Sequence, residues 1–396
     1  MRWIILCLAT LLVAANSLSA PEHPVVIRLD GSTIPAAEVD QTVTRLMKAG
    51  DVAGVTIAIL NGGKISYVKA YGLRDKDKNL PLTVNSVMSA GSFSNVVFAY
   101  MVMQVVAEGV LNLDKPIYKY LPKPLPEYPD YADLADDPRW KHITPRMLLS
   151  QTSGFADWRT SESDRKLKIH FKPGTRFAYS SEGIDLLQLV VETVTQTHLE
   201  ELMQEHVFDP LGMTRTSMVW NREFENDYAN GYGEDGRSLG PRRRSIALAA
   251  ESMQTTISDL ALFVQAVMEE KLLRNKVREQ MLSPQIPIIS KHEYPTLAED
   301  TAEENKTIHL SYGLGWGLYS TSYGRAFFKD GRDGGWSNYT VCFDQPKTAV
   351  VILTNSAHGP AIFKGILDNL LKDPSAPVEW EGFGVSDKLS VARPSD

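Results

Sequence analysis

The chain has 396 residues, 43% of them hydrophobic and 22% charged, with a formal net charge of −7. This composition describes a folded chain with a sizeable core and excludes disordered, collagen-like and strongly basic nucleic-acid-binding classes. A small molecule or peptide is the expected partner, nucleic acid is not, and nothing in the composition sets an oligomeric state.

Met1-Arg2 is followed by an apolar run from Trp3 to Ala15 and a small polar stretch from Asn16 to Ala20, the pattern of an export signal. The run is shorter than the roughly 20 residues a membrane span needs. Residues 1–20 are therefore expected to be a cleaved leader, with an uncleaved N-terminal anchor as the alternative. The mature protein is expected to be secreted or periplasmic, without a stable membrane span. Cys342 would then be its only cysteine, which excludes an intramolecular disulfide.

Glu38 to Ala49 carries apolar residues at helical spacing, and Gly54 to Leu60 runs as an apolar, β-branched strand. Asn61-Gly62-Gly63 then turns the chain into Lys64 to Tyr71, a hairpin signal. Ser92 to Gly109 is apolar around most of its circumference, which predicts a helix buried on several sides and closed by Gly109. Between Leu121 and about Lys306 the pattern changes to Pro-rich connections and helices near Thr144 to Ser150, Gly183 to Thr195, Leu199 to Val207 and Ser258 to Lys271. Strand signals return at Ala326 to Lys329, Tyr339 to Asp344 and Ala349 to Thr354, before a last helix at Ala361 to Lys372. Strands at both ends of a helical middle predict an α+β fold. In it, residues 21–120 and 307–385 build an antiparallel sheet flanked by helices, residues 121–306 form an inserted, mostly helical subdomain, and residues 386–396 form a tail.

Ser92 stands where Gly91 ends a loop and the buried helix begins, so backbone N–H groups there are free to face a cleft. Serine is also a preferred helix cap, which is the plain alternative for it. Read with Gly91-Ser92-Phe93-Ser94-Asn95, two distant segments change the weighting: Tyr179-Ser180-Ser181 after Pro173-Gly174-Thr175, and Lys329-Asp330-Gly331 before Gly334-Gly335-Trp336. In order and spacing the three resemble the active-site motifs of class C β-lactamases, penicillin-binding proteins and related esterases. Asp114-Lys115-Pro116 with Lys119-Tyr120-Leu121-Pro122, Leu149-Ser150-Gln151-Thr152-Ser153-Gly154 and Val350-Val351-Ile352-Leu353-Thr354-Asn355 resemble supporting stretches of that family, over residues 35–372 in all.

The resemblance implies a β-lactamase/transpeptidase-like fold and a serine hydrolase without a cofactor. Acyl transfer through Ser92 would act on small esters, amides or peptidoglycan-like peptides, with Tyr179 as proton shuttle and Lys329 as its electrostatic partner. In the family a lysine follows the serine by one helical turn and takes its proton. Here that position is Asn95, and an amide does not accept a proton at neutral pH as a tuned lysine amine does. Asn95 is expected to orient Ser92 without deprotonating it. Weak activity follows, with a non-catalytic binding protein that keeps the cleft as the alternative. Ser181 replaces an asparagine and has shorter reach toward a substrate. Asp330 replaces a small hydroxyl residue and is expected to pair with Lys329 or Arg332, lowering the positive potential an anionic substrate meets, while Gly331 completes the strand edge.

Other patterns carry less. Ser163-Asp164-Arg165-Lys166 fits the serine–lysine spacing inside a charged loop, and the eight histidines, including His198 and His206, show no metal-binding spacing. No phosphate-binding glycine loop occurs. Pro241-Arg242-Arg243-Arg244 reads as a solvated loop. No metal and no cofactor are expected.

Overall fold

The computed structural model describes residues 25–383, so the expected leader and tail lie outside the described residues. Nine strands form one sheet: β1 (Gly54–Asn61), β2 (Lys64–Asp75), β3 (Leu80–Pro81), β4 (Ile286–Pro287), β5 (Ser311–Tyr312), β6 (Gly317–Thr321), β7 (Gly324–Arg332), β8 (Ser337–Phe343) and β9 (Thr348–Thr354). Their spatial order is β4-β5-β6-β7-β8-β9-β1-β2-β3. Every pairing is antiparallel, and the two ends of the chain meet where Ala349 to Thr354 of β9 lies against Leu60 to Val55 of β1. The α+β architecture read from the sequence is the observed one. The sheet also takes its edge strand Ile286–Pro287 from a stretch that showed no strand pattern, because two residues are too few to display a period.

The apolar runs in β1 and β9 follow from burial of both faces. Ala58, Leu60, Phe327, Cys342, Val351 and Leu353 point to one core. Val55, Ile57, Ile59, Phe328, Val341, Val350 and Ile352 point to the other. The first core is shared with α2 (Phe93–Ala107), α3 (Ser181–Thr195) and α4 (Ile257–Glu269), and the second with α1 (Ala36–Gly50) and α5 (Pro360–Ile366). The absence of a polar stripe on α2 is explained by its position, since Phe93 to Met103 are all buried.

Two glycines bring the start of α2 against the end of β7. Gly91 has φ of 53°, and a Cβ there would lie 2.5 Å from the Arg332 carbonyl oxygen. A Cβ on Gly331 would lie 2.4 Å from the Ala90 carbonyl oxygen and 3.0 Å from the Phe93 nitrogen. The loop is also stapled to the sheet, because the Asn338 amide donates to the Ser89 and Ala90 carbonyls at 3.0 and 3.1 Å, and Ser89 Oγ donates to Asp333 at 2.6 Å. Gly331→Ala is expected to lower unfolding free energy by about 1–3 kcal/mol, the range for overpacking. Urea denaturation checks this, and an unchanged midpoint would mean that the contact is looser than described.

Candidate active site

β7 pairs with β6 only as far as Phe328, which lies opposite Gly317, while its pairing with β8 continues to Arg332. Residues 329–332 therefore present a free sheet edge beside the N-terminus of α2. Ser92 sits there, half-buried, in α-helical backbone geometry, and its hydroxyl makes no capping bond to the helix. The capping alternative thus gives no account of the side chain. Ser94 ties the turn instead, donating to the Gly91 carbonyl at 2.7 Å and accepting from the Met253 N–H at 3.1 Å.

Tyr179 reaches the same point from the segment before α3. Gln151 holds that segment by backbone and side chain, accepting from the Ala178 N–H and the Ser180 N–H, each at 2.8 Å. Ser180 then caps α3, accepting from the Gly183 N–H at 3.0 Å. The Tyr179 phenol is buried, and its oxygen has no well-aligned hydrogen-bond partner. Burial raises its pKa well above the ordinary value; the Lys329 ammonium, 4.7 Å from the ring centroid, opposes the rise, Asp157 and Asp330 add to it, and the adjacent Ser92 hydroxyl opposes it slightly. The fold therefore brings Ser92, Tyr179 and Lys329 together.

The four positioning candidates divide. Asn95 is fully buried, but its amide donates to the Ser92 carbonyl at 3.0 Å and the Ala250 carbonyl at 2.8 Å rather than to the Ser92 hydroxyl. Its Oδ1 is buried without a partner. Ser181 is buried too, and its N–H donates to Asp157 Oδ1 at 3.1 Å. Asp330 pairs with both cations, at 2.8 Å from Lys329 Nζ and 3.3 Å from Arg332 Nε. Gly331 contributes its lack of a side chain, as above.

Burial disfavours the Lys329 ammonium, but Asp330 and the surrounding Tyr179, Tyr312 and Glu293 carry its pKa well above the ordinary value. Burial would raise Asp330, yet Lys329 and Arg332 hold its carboxyl below the ordinary range. Sequence reading missed the carboxyls that surround this pair. Glu293 lies in the loop between Ser290 and Thr301, with Oε2 buried and unpartnered. Burial first, and then Asp330, push Glu293 up to about 8. Glu381, near the C-terminal limit of the described residues, is likewise raised by burial and by Asp330, and its carbonyl accepts from Arg332. No local motif marks these residues, since both arrive from distant loops.

The arginine loop lies at the surface, with each arginine ion-paired. Arg242 meets Asp333 at 3.0 Å, Arg243 meets Glu225 at 2.8 Å and Arg244 meets Glu251 at 2.8 Å. Among the described residues no group of three or more His, Cys, Asp or Glu side chains is placed to hold a metal, and no helix is long and apolar enough to cross a membrane.

A family model described as Beta-lactamase matches residues 39–371. The chain belongs to the beta-lactamase family. It is 29% identical over 252 residues to a beta-lactamase of Pseudomonas fluorescens, covering 61% of this chain and 67% of that protein. Identity to a beta-lactamase of Yersinia enterocolitica is 24% over 298 residues, covering 72% and 69%. It is also 27% identical to Protein flp of Staphylococcus aureus (strain MRSA252), but over only 50% of this chain and 41% of that one. Two solved structures share the fold at 23% identity. They are the octameric penicillin-binding protein homologue from Pyrococcus abyssi (TM-score 0.66, covering 82% of this chain and 74% of that one) and the D-alanine carboxypeptidase AmpC from Burkholderia cenocepacia (TM-score 0.65, covering 81% and 95%).

The raised pKa of Glu293 makes a stability prediction. In the unfolded chain Glu293 ionises in the ordinary carboxylate range, and in the folded protein only near about 8. Between those values the folded state holds the extra proton, so its stability falls as pH rises. Tm measured from about pH 5 to about pH 8 should fall less steeply in Glu293→Gln than in the native protein. Parallel curves would mean that Glu293 is already ionised in the fold.

Proposed function

We propose that this chain is an exported serine hydrolase with weak acyl-transfer activity through Ser92 on small esters and amides, peptidoglycan-like peptides included. The observation that carries the reading is a Ser92 hydroxyl left out of helix capping beside a buried phenol that has an ammonium over its ring. In the forward step the ionised Tyr179 phenolate takes the Ser92 Oγ proton as the oxygen attacks the acyl carbon, and the leaving group departs with that proton, returned from the now neutral phenol. The Ser92 N–H, at a helix start, faces the developing oxyanion. Water then repeats the sequence on the acyl-enzyme.

The weak point is the base. Tyr179 holds its proton at neutral pH because burial outweighs the Lys329 ammonium. Asn95 offers no acceptor of a proton in place of an amine, and a general base typically contributes about 10²- to 10⁴-fold. Lys329 and Arg332 share the Asp330 carboxylate, so the positive potential an acidic substrate meets is reduced. The same Asn95 favours a second reading, a binding protein that keeps the cleft without turnover.

Intact mass after incubation with a fluorophosphonate separates the readings. The native protein should gain a Ser92-dependent adduct that Ser92→Ala lacks, whereas no native adduct supports the binding protein. Asn95→Lys keeps a donor for the Ala250 carbonyl, and should accelerate labelling by about 10²- to 10⁴-fold if the missing amine is the whole defect. Native kcat/KM for a p-nitrophenyl ester should climb with pH through the neutral range without a plateau, since the phenol is the acceptor. A plateau near pH 7 would assign the proton to another group.

A further inference from the structure

Several carboxylates around the cleft are paired with cations, whereas Asp157 is not. Glu182 is held by Arg159 at 2.6 Å, Asp330 by Lys329 and Arg332, and Glu162 by His170 at 2.6 Å with Lys168 at 3.8 Å. Half-buried Asp157 has no cation within ion-pair distance among the described residues; it accepts from Ser181, through Oδ1 from the N–H at 3.1 Å. Asp157 and Trp158 line a pocket of about 550 Å³ whose other side is formed by Tyr294 and Pro295. The pocket borders the candidate active site, because Asp157 is tied to Ser181, two residues beyond Tyr179, and the Tyr294 ring centroid lies 6.1 Å from that of Tyr179. Glu293, the residue preceding Tyr294, adds a second carboxyl with an unpartnered, buried oxygen.

We propose that this pocket receives the ammonium group of an amine-bearing ester or amide substrate, with Asp157 as its counter-ion and the Trp158 and Tyr294 rings as its cation–π walls. A carboxylate taken partly out of water is costly when unpaired, and an ammonium supplies the missing partner. Aromatic faces attract the same cation through their quadrupoles and line the pocket without competing for the carboxylate. Burial raises the Asp157 pKa, and an arriving cation favours the charged form against that rise. The other acid lining the pocket, Glu162, already has partners, His170 Nε2 at 2.6 Å and Lys168 Nζ at 3.8 Å, which leaves Asp157 as the receiving group. The inference names the substrate class for the acyl-transfer reading and rests on it.

Binding is tested apart from turnover. In ligand-observed NMR titrations n-butylammonium should bind native protein at least about tenfold more tightly than 1-butanol, a preference that Asp157→Asn abolishes and Ser92→Ala retains. Asn keeps an acceptor for the Ser181 N–H, and Trp158→Leu, which leaves Asp157 in place, should weaken n-butylammonium in the same direction. Equal binding of the two probes, or a preference unaffected by Asp157→Asn, overturns the proposal. In turnover, the ratio of kcat/KM for p-nitrophenyl 6-aminohexanoate to that for p-nitrophenyl hexanoate should fall about tenfold in Asp157→Asn. Ser92-dependent hydrolysis with an unchanged ratio removes the ammonium pocket and leaves the hydrolase. If neither ester is cleaved through Ser92, the hydrolase reading falls and the titration alone decides the pocket.

Discussion

A carbonyl oxygen at Ala90 and the backbone of Arg332 approach glycines on the opposite segment so closely that neither Gly331 nor Gly91 has room for a methyl group. This contact sets the distance between the start of α2 and the free edge of β7, and therefore between Ser92 and Lys329. Burial makes it rigid. α2 is enclosed on all sides, and the loop before it is stapled by Asn338 and by the Ser89–Asp333 bond. Tyr179 is fixed separately, through Gln151 and the capped start of α3. Three side chains from distant parts of the chain thus meet because each is carried by an element that cannot yield without disturbing a core.

The same burial decides the electrostatics. Lys329 is kept charged despite its burial because Asp330 lies at 2.8 Å, and the same carboxylate meets the more exposed Arg332 at 3.3 Å. Once that pair of contacts exists, a further carboxyl nearby is penalised twice, by desolvation and by Asp330, which is why Glu293 and Glu381 hold their protons beyond the ordinary range. Replacing a small hydroxyl residue by aspartate therefore reaches beyond one contact. It halves the positive charge of that edge and raises the pKa of carboxyls on two other segments.

Much of this was legible along the chain and some was not. Element types followed from periodicity wherever an element was long, as in α2, β1 and β9, because burial imposes a repeat that composition reveals. Lys329, Asp330 and Gly331 stood out because neighbouring positions on one strand edge stay together in any fold that uses them. Asp157 and Glu293 stood out in nothing, since their meaning depends on which loop returns to the edge of β7, and a two-residue strand such as β4 carries no period at all. Function within an established fold is similarly local. Ser181 matched its motif position, yet its backbone N–H donates to Asp157, a partner that no spacing rule anticipates.

Asn95 is where fold and chemistry part. Its amide does structural work that a lysine could share, donating to the Ala250 carbonyl and to the Ser92 carbonyl, so the exchange leaves the start of α2 intact. What it removes is a titratable nitrogen, and Tyr179, buried with an unpartnered oxygen, becomes the remaining acceptor beside the serine. A phenol raised by burial is a poor base at neutral pH but a strong one once ionised, and the ammonium over its ring stabilises that ionised form. Under the proposed acyl transfer, an amide in place of the lysine would move the site toward alkaline working conditions, and substrates whose leaving groups need little protonation would gain most from what remains.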